Sequence, residues 1–204
     1  LCVSGSFCAV VDAIPICTTL FVLQFLLVFG WGLAACNRVG NLLGAGRGAD
    51  ARFAAGVAWL MAASSAACVG TLVIIMRRHI ARLFVDGGSD EAEAVLDVAA
   101  SLIPITTTYS MLATLAPGWS QQVLFGLGAR LRLPAAINFF AFYAVGIPGS
   151  AVLAYHFGLG VHGIWLGLVA AIALIVIGQY LYLALTVDWH VAARDAQLRA
   201  QQKA

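Results

Sequence analysis

Two acids and a handful of amides stand where an apolar chain could use them. Asp12 and Asp97 each fall near one end of an apolar stretch, and Gln24, Gln121, Gln122, Asn138, Tyr143 and Gln179 lie within or between such stretches. A carboxylate at membrane depth can carry a proton or a small cation. Amides and phenols can hold an organic cation by hydrogen bonds or through a ring face. Each also has an ordinary alternative: an acid at the wetted end of a helix, or an amide that bridges two helices. None of them builds a catalytic constellation. The chain has no H-E-x-x-H, no phosphate loop closing on Lys-Ser or Lys-Thr, and no serine elbow. Its four histidines, His79, His156, His162 and His190, are too scattered for metal ligation. Gly44, Gly46 and Gly48 resemble a phosphate cradle, but no strand precedes them, and a tight turn is expected there. The chemistry implied is recognition and passage, with no enzyme, cofactor or metal expected.

The elements that position these groups follow from hydropathy. Residues 133–187 contain no Asp, Glu, Lys or Arg, and the chain is 62% hydrophobic and only 10% charged. Soluble domains carry roughly 25% charged residues, so lipid rather than water is the expected solvent. Net charge is +2, too small to suggest nucleic acid. A bilayer span needs about 20 apolar residues. Five spans are expected, at about 13–36, 53–76, 95–115, 134–156 and 161–187, in a membrane domain covering 1–187. Gly158, Gly160, His162 and Gly163 mark the turn between the last two. Residues 188–204 form a tail, in which Asp188 can cap a helix starting at Trp189. Cys2, Cys8, Cys17, Cys36 and Cys68 form no C-x-x-C pair and read as small apolar fillers.

Basic residues set a direction. Arg38, Arg47 and Arg52 follow the first span, Arg130 and Arg132 follow the third, and Arg194, Arg199 and Lys203 follow the fifth; the opposite side has Arg77, Arg78 and Arg82. Positive-inside bias places the larger group in the cytoplasm, with the N-terminus outside and the C-terminus inside. Pro104 and Pro148 interrupt the third and fourth spans, as transporters do near their binding sites, although a kink kept for packing fits as well. Gly163 and Gly167, four apart, allow close helix approach.

Several segments carry a family resemblance. Asn37-Arg38-Val39-Gly40-Asn41-Leu42-Leu43-Gly44-Ala45-Gly46, in the first inter-span loop, resembles a signature of the multidrug and toxic compound extrusion family. Leu83-Phe84-Val85-Asp86, Val123-Leu124-Phe125-Gly126, Ala135-Ala136-Ile137-Asn138 through Pro148, Gly160 through Leu168, and Asp188-Trp189 are similar to later family segments in the same order. The resemblance implies twelve spans in two six-helix lobes, with this all-helical chain matching spans eight to twelve of the eukaryotic type. It thus implies a C-terminal lobe without its first helix. Leu1 is not Met, which agrees with a fragment or a processed product.

By that resemblance the whole protein exports xenobiotics or organic cations by cation-coupled antiport, proton favoured over sodium. It would reside in the plasma or vacuolar membrane. The expected partners are the bilayer, a small amphipathic or cationic substrate, the coupling cation and the N-terminal lobe. Gln121, Gln122, Asn138 and Tyr143 are the expected cavity contacts, and Asp97 and Asp12 the possible ion-linked acids. Two departures bear on coupling. Alignment on Gln121 puts Gly118 where relatives commonly carry an Asp, and Gly126 through Arg132 replaces their Arg-Gly-x-Gly-x-Gln stretch. A lipid-linked precursor flippase of the same superfamily and a non-transporting scaffold or degenerate fragment are the alternatives. The absence of Lys and Arg within the spans disfavours the flippase.

Overall fold

The computed structural model describes residues 5–85, 89–115, 120–127 and 132–201. All regular structure among them is helical: α1 (Gly5–Gly44), α2 (Gly48–Ile75), α3 (Arg77–Arg82), α4 (Asp90–Leu115), α5 (Gln121–Gly126), α6 (Arg132–His156), α7 (Gly160–Thr186) and α8 (Trp189–Gln201). Five of these, α1, α2, α4, α6 and α7, are long and apolar enough to cross a membrane.

Helix α1 has 40 residues and so extends about 60 Å, well beyond a bilayer core of about 30 Å. The expected loop from Asn37 is therefore helical as far as Gly44. The reason is a continuing apolar stripe. Ala35, Val39, Leu42 and Leu43 pack with Ala51 and Ala55 of α2, Val123 and Leu124 of α5, Leu183 of α7 and Ala193 of α8. The true turn is short. Gly46 takes φ 75°, its N–H donates to the Leu43 carbonyl, and the Arg47 N–H donates to Leu42. These are the two bonds of a left-handed glycine C-cap.

The bundle centres on α4. It is the least apolar of the five long helices, yet half of its most apolar window is buried, against 11% for α6. Its start is prepared by Ser89, whose hydroxyl accepts from the Ala92 N–H at 3.2 Å, and by Asp90, Glu91 and Glu93 in the first turn. The helix runs through Pro104 unbroken. Thr108 donates to the Pro104 carbonyl at 2.8 Å, and Thr106 donates to Leu102 and Ile103. Beside it, Ala13, Ile16, Cys17 and Leu20 of α1 meet Val73 of α2 and Leu96, Ala99, Leu102 and Ile103 of α4. The Cys17 thiol is buried, Cys36 is half-buried and Cys68 exposed, and none of the three is disulfide-bonded. Cys8 departs from the expected filler role by being disulfide-bonded.

Helices α6 and α7 are antiparallel and in close contact. A Cβ on Gly163 would come within 2.6 Å of the Ala154 backbone nitrogen, one on Gly167 would strike Ser150, and one on Gly146 would meet the Ala171 side chain at 3.0 Å. Ser150 donates to the Ile164 carbonyl at 2.9 Å. Two π-helical turns, Ala141–Gly146 and Val152–His156, flank the segment holding Pro148. Past Thr186 the chain breaks at Val187 (φ −91°, ψ 106°). Asp188 then accepts from the His190 and Val191 N–H groups at 2.9 and 3.2 Å and starts α8. Those bonds, with that from Val191 foremost, hold its carboxyl below the ordinary value of 3.8.

Two tests follow from this packing. Gly163→Leu presses a side chain onto backbone that cannot yield and should cost about 1–3 kcal/mol or more. Gly149→Ala, on a face with nothing within 4 Å, should be neutral or stabilise by about 0.5–1 kcal/mol. Thermal unfolding in detergent separates the two. The depressed carboxyl of Asp188 supports the α8 cap throughout the range above 3.8 and loses that support as pH falls through its lower folded-state value. Protease sensitivity at α8 should therefore stay flat from neutral pH to about 3.8 and rise below it, and Asp188→Ala should show the raised sensitivity at neutral pH.

Candidate functional site

An amide surrounded by apolar helix must find protein partners, because hydrocarbon offers none. Gln179, in the apolar run of α7, is fully buried and uses both ends of its amide. Its Nε2 donates to Asn138 Oδ1 on α6 at 2.8 Å, and its Oε1 accepts from the hydroxyl of Ser120, the residue preceding α5. Ser120 is itself buried and Asn138 half-buried. The tie thus joins three elements through one side chain. Ser120 carried no sequence signal, being a lone hydroxyl beside two glutamines; only the fold brings it to Gln179.

Of the four expected cavity contacts, Asn138 and Tyr143 lie on different faces of α6. Asn138 faces inward to Gln179. Tyr143 is 61% exposed and stacks on Phe139 with ring centroids 4.6 Å apart, on a different face of α6. Gln122 is half-buried on α5. Gln121 belongs to the same helix, but its side chain lies outside the described residues, as does Gly118. An apolar groove of about 380 Å³ runs along α6 and α7, lined by Leu133, Ile137, Phe140, Val145 and Leu174.

A second polar seam joins α1, α2 and α4. Gln24 is buried, with its Nε2 on the Leu20 carbonyl at 3.2 Å. Ser110 reaches the Phe21 carbonyl at 3.5 Å and Thr114 donates to Ser110 at 3.0 Å. Gln24, Ser110 and Thr114 line a cavity of only about 10 Å³. Thr107 has a fully buried hydroxyl with no hydrogen-bond partner among the described residues, a cost of about 1–3 kcal/mol. Trp31 of α1 donates to Ser65 of α2 at 3.1 Å.

The two acids differ. Asp97 accepts from Arg78 Nη2 at 2.9 Å, tying α3 to α4. Both side chains are 63% exposed, so the pair contributes about 0–1 kcal/mol. Asp12 is exposed and lines an open cavity of about 530 Å³, together with Thr19 of α1, Phe84, and Ser89 and Glu91 at the start of α4. No group of three His, Cys, Asp or Glu side chains among the described residues could hold a metal ion.

The Gln179 tie generates a prediction. Gln179→Leu removes the bonds to Ser120 and Asn138 and should lower stability by roughly 0.6–1.7 kcal/mol per lost bond. Asn138→Leu in the same background should add little, because the bond is already gone. Additivity within about 0.3 kcal/mol in this double-mutant cycle would show that the Asn138 bond carries no coupling.

Comparison with known proteins completes the site. The MatE family model matches residues 8–152. Multidrug and toxin extrusion protein 2 of Mus musculus is 30% identical over 179 residues, which is 88% of this chain and 30% of that protein. Protein DETOXIFICATION 16 of Arabidopsis thaliana is 31% identical over 193 residues, 93% of this chain and 37% of its own length. Probable multidrug resistance protein NorM of Brucella suis is 28% identical over 84% of the chain and 36% of the relative. The crystal structure of the eukaryotic MATE transporter AtDTX14 matches with a TM-score of 0.83 and 27% identity, over 94% of this chain and 41% of the solved one. The chain spans about a third of the length of the curated relatives it matches. Its five long apolar helices make it an integral, multi-pass membrane chain, and it belongs to the MatE family.

Proposed function

We propose that the protein carrying this lobe exports organic cations or other amphipathic compounds by cation-coupled antiport, with proton favoured over sodium. Transport would proceed by alternating access between this lobe and an N-terminal one. The observation that carries the reading is the lobe itself, a five-span bundle that follows a solved MATE transporter over 94% of its length. The names of relatives speak of multidrug and toxin extrusion and of multidrug resistance.

Gln121, Gln122, Asn138 and Tyr143 are the proposed substrate-side residues, in two roles. Gln122 and Tyr143 retain free surface for a ligand, and Gln121 precedes Gln122 on α5 and carries the same amide. Asn138 positions α6 through Gln179. Of the acids, Asp12 is the stronger ion-linked candidate. It faces an open cavity that it shares with Glu91, whereas the Asp97 carboxylate is engaged by Arg78.

Residues 1–187 form the membrane domain of this reading and 188–204 a cytoplasmic tail. The distribution of charge supports that direction. The turn between α1 and α2, with Arg47, packs at the same end as α8, with Arg194 and Arg199. The short α3, with Arg77, Arg78 and Arg82, packs at the end where α4 begins. The membrane is the plasma or the vacuolar one.

The test uses the full-length transporter in inverted vesicles with a labelled organic cation. An imposed pH gradient should drive uptake. Asp12→Asn should reduce that uptake on the order of tenfold, as expected for a lost intramembrane ion carrier. Asp97→Asn, which removes only a surface pair, should stay within about twofold. Uptake indifferent to both proton and sodium gradients would overturn antiport, and equal losses in the two variants would remove the distinction between the acids.

A further inference from the structure

At the end of the bundle where α8 packs, a groove of about 440 Å³ opens between the start of α2 and the elbow joining α7 to α8. Its walls include Ala49, Arg52, Leu185, Thr186, Asp188 and His190. The depth of this groove is set by the chain. A spanning helix ends at Thr186, Val187 is extended, and a polar helix turns away from Trp189. This is the zone where hydrocarbon meets water, and Trp189 suits it.

Beside the groove, the close approach of α2 to the elbow depends on one glycine. A Cβ on Gly48 would strike the Trp189 carbonyl and come within 2.9 Å of its carbon. Only a residue without Cβ lets the two backbones meet so closely. The charges around it are then unequal in their commitments. Arg47 is held by Asp50 at 2.6 Å. The Asp188 carboxylate accepts from the His190 and Val191 N–H groups and lies within electrostatic reach of His190 and Arg194. The N–H groups at the start of α8 are therefore already satisfied and are not the anion site. Arg52 is exposed and has no ion pair or hydrogen bond with any described residue. On the groove wall Leu185 is 79% exposed, and Phe53, the residue after Arg52 on α2, is 75% exposed.

A guanidinium with no partner among the described residues, an imidazole lining the same groove, and exposed apolar side chains nearby call for a ligand that is anionic at one end and hydrocarbon at the other. We propose that this groove seats an anionic glycerophospholipid, its phosphate on Arg52 and His190 and its acyl chains along Leu185 and Phe53. Arg is suited to the phosphate because its planar fork matches two oxygens at once. The bound lipid would brace the α7–α8 elbow against α2. The site is built from one lobe alone and does not depend on which substrate crosses the membrane.

The test uses the full-length protein reconstituted in phosphatidylcholine vesicles, with spin-labelled phosphatidylglycerol or spin-labelled phosphatidylcholine as the probe. The immobilised signal should favour phosphatidylglycerol. Arg52→Gln should lower that preference about fivefold, the equivalent of the roughly 1 kcal/mol that one basic residue contributes at an anionic surface. Arg52→Lys should keep most of the preference. Arg199→Gln, farther along α8, should leave it unchanged. Retention of the full preference in Arg52→Gln would overturn the site. An equal loss in Arg199→Gln would reduce it to diffuse surface attraction. Displacement of the labelled lipid by inorganic phosphate would make it a free-anion site and overturn the lipid assignment, as would equal immobilisation of both lipids in the unmutated protein.

Discussion

Hydrocarbon gives a polar group nothing to bond to, and the packing of this bundle depends on that constraint. The helix with the least apolar span is the one drawn deepest into protein. Helix α4 carries Pro104 and hydroxyls at Thr106, Thr107, Thr108, Ser110 and Thr114, and it lies against α1, α2, α3 and α7. Helix α6, whose exposed side chains past Arg132 are mostly apolar or aromatic, shows most of its surface outward. Hydroxyls that donate to their own helix, as Thr106, Thr108 and Thr114 do, satisfy themselves without a neighbour. Gln179 cannot do so along its whole amide. It therefore recruits one partner from α6 and one from the segment before α5, and in doing so fixes where those pieces sit.

Periodicity and composition were enough to read the five spans, because a stretch without charge can only be stable in lipid or in a deep core. The same logic exposed the close approach at Gly163 and Gly167 and the cap at Asp188, both of which are local in sequence. The extension of α1 to Gly44 was less visible. The polar residues Asn37, Arg38 and Asn41 suggest a loop, but they occupy the outer face of a helix whose other face still buries Val39, Leu42 and Leu43. A helix that leaves the membrane and finds a soluble core has no reason to stop at the bilayer edge.

The candidate site was legible only in part. Asn138 and Gln179 stood out as amides in apolar runs, but their pairing spans 41 residues, and Ser120 lies 59 residues from Gln179. Nothing local encodes such a meeting. Asp97 and Asp12 looked alike in sequence, as acids near span ends. Their difference comes from α3, a short basic helix that delivers Arg78 to one and not to the other.

The contact between α6 and α7 explains why α6 needs its irregular turns. Successive meeting points are Ala154 with Gly163, Ser150 with Gly167, Gly146 with Ala171 and Asn138 with Gln179. Each step advances four residues, or a multiple of four, on both helices at once. In a regular α-helix, residues four apart drift by about 40° per step, because a turn takes 3.6 residues. Contacts would soon rotate off the shared face. Helix α7 tolerates this drift because it also packs on α4, from His162 beside Ser101 and Trp165 beside Tyr109 to Ile172 and Ile175 with Ala113. Helix α6 has no such second neighbour over most of its length and shows its far side outward. Its π-helical turns, with i to i+5 bonding, take more residues per turn and bring positions four apart back into line. Pro148 lacks an N–H and so frees a carbonyl in this same region, which lowers the cost of a widened turn. The amide pair at one end and the glycine contacts at the other therefore share one register, and the proline with its π-helical turns keeps that register over the full length of the span.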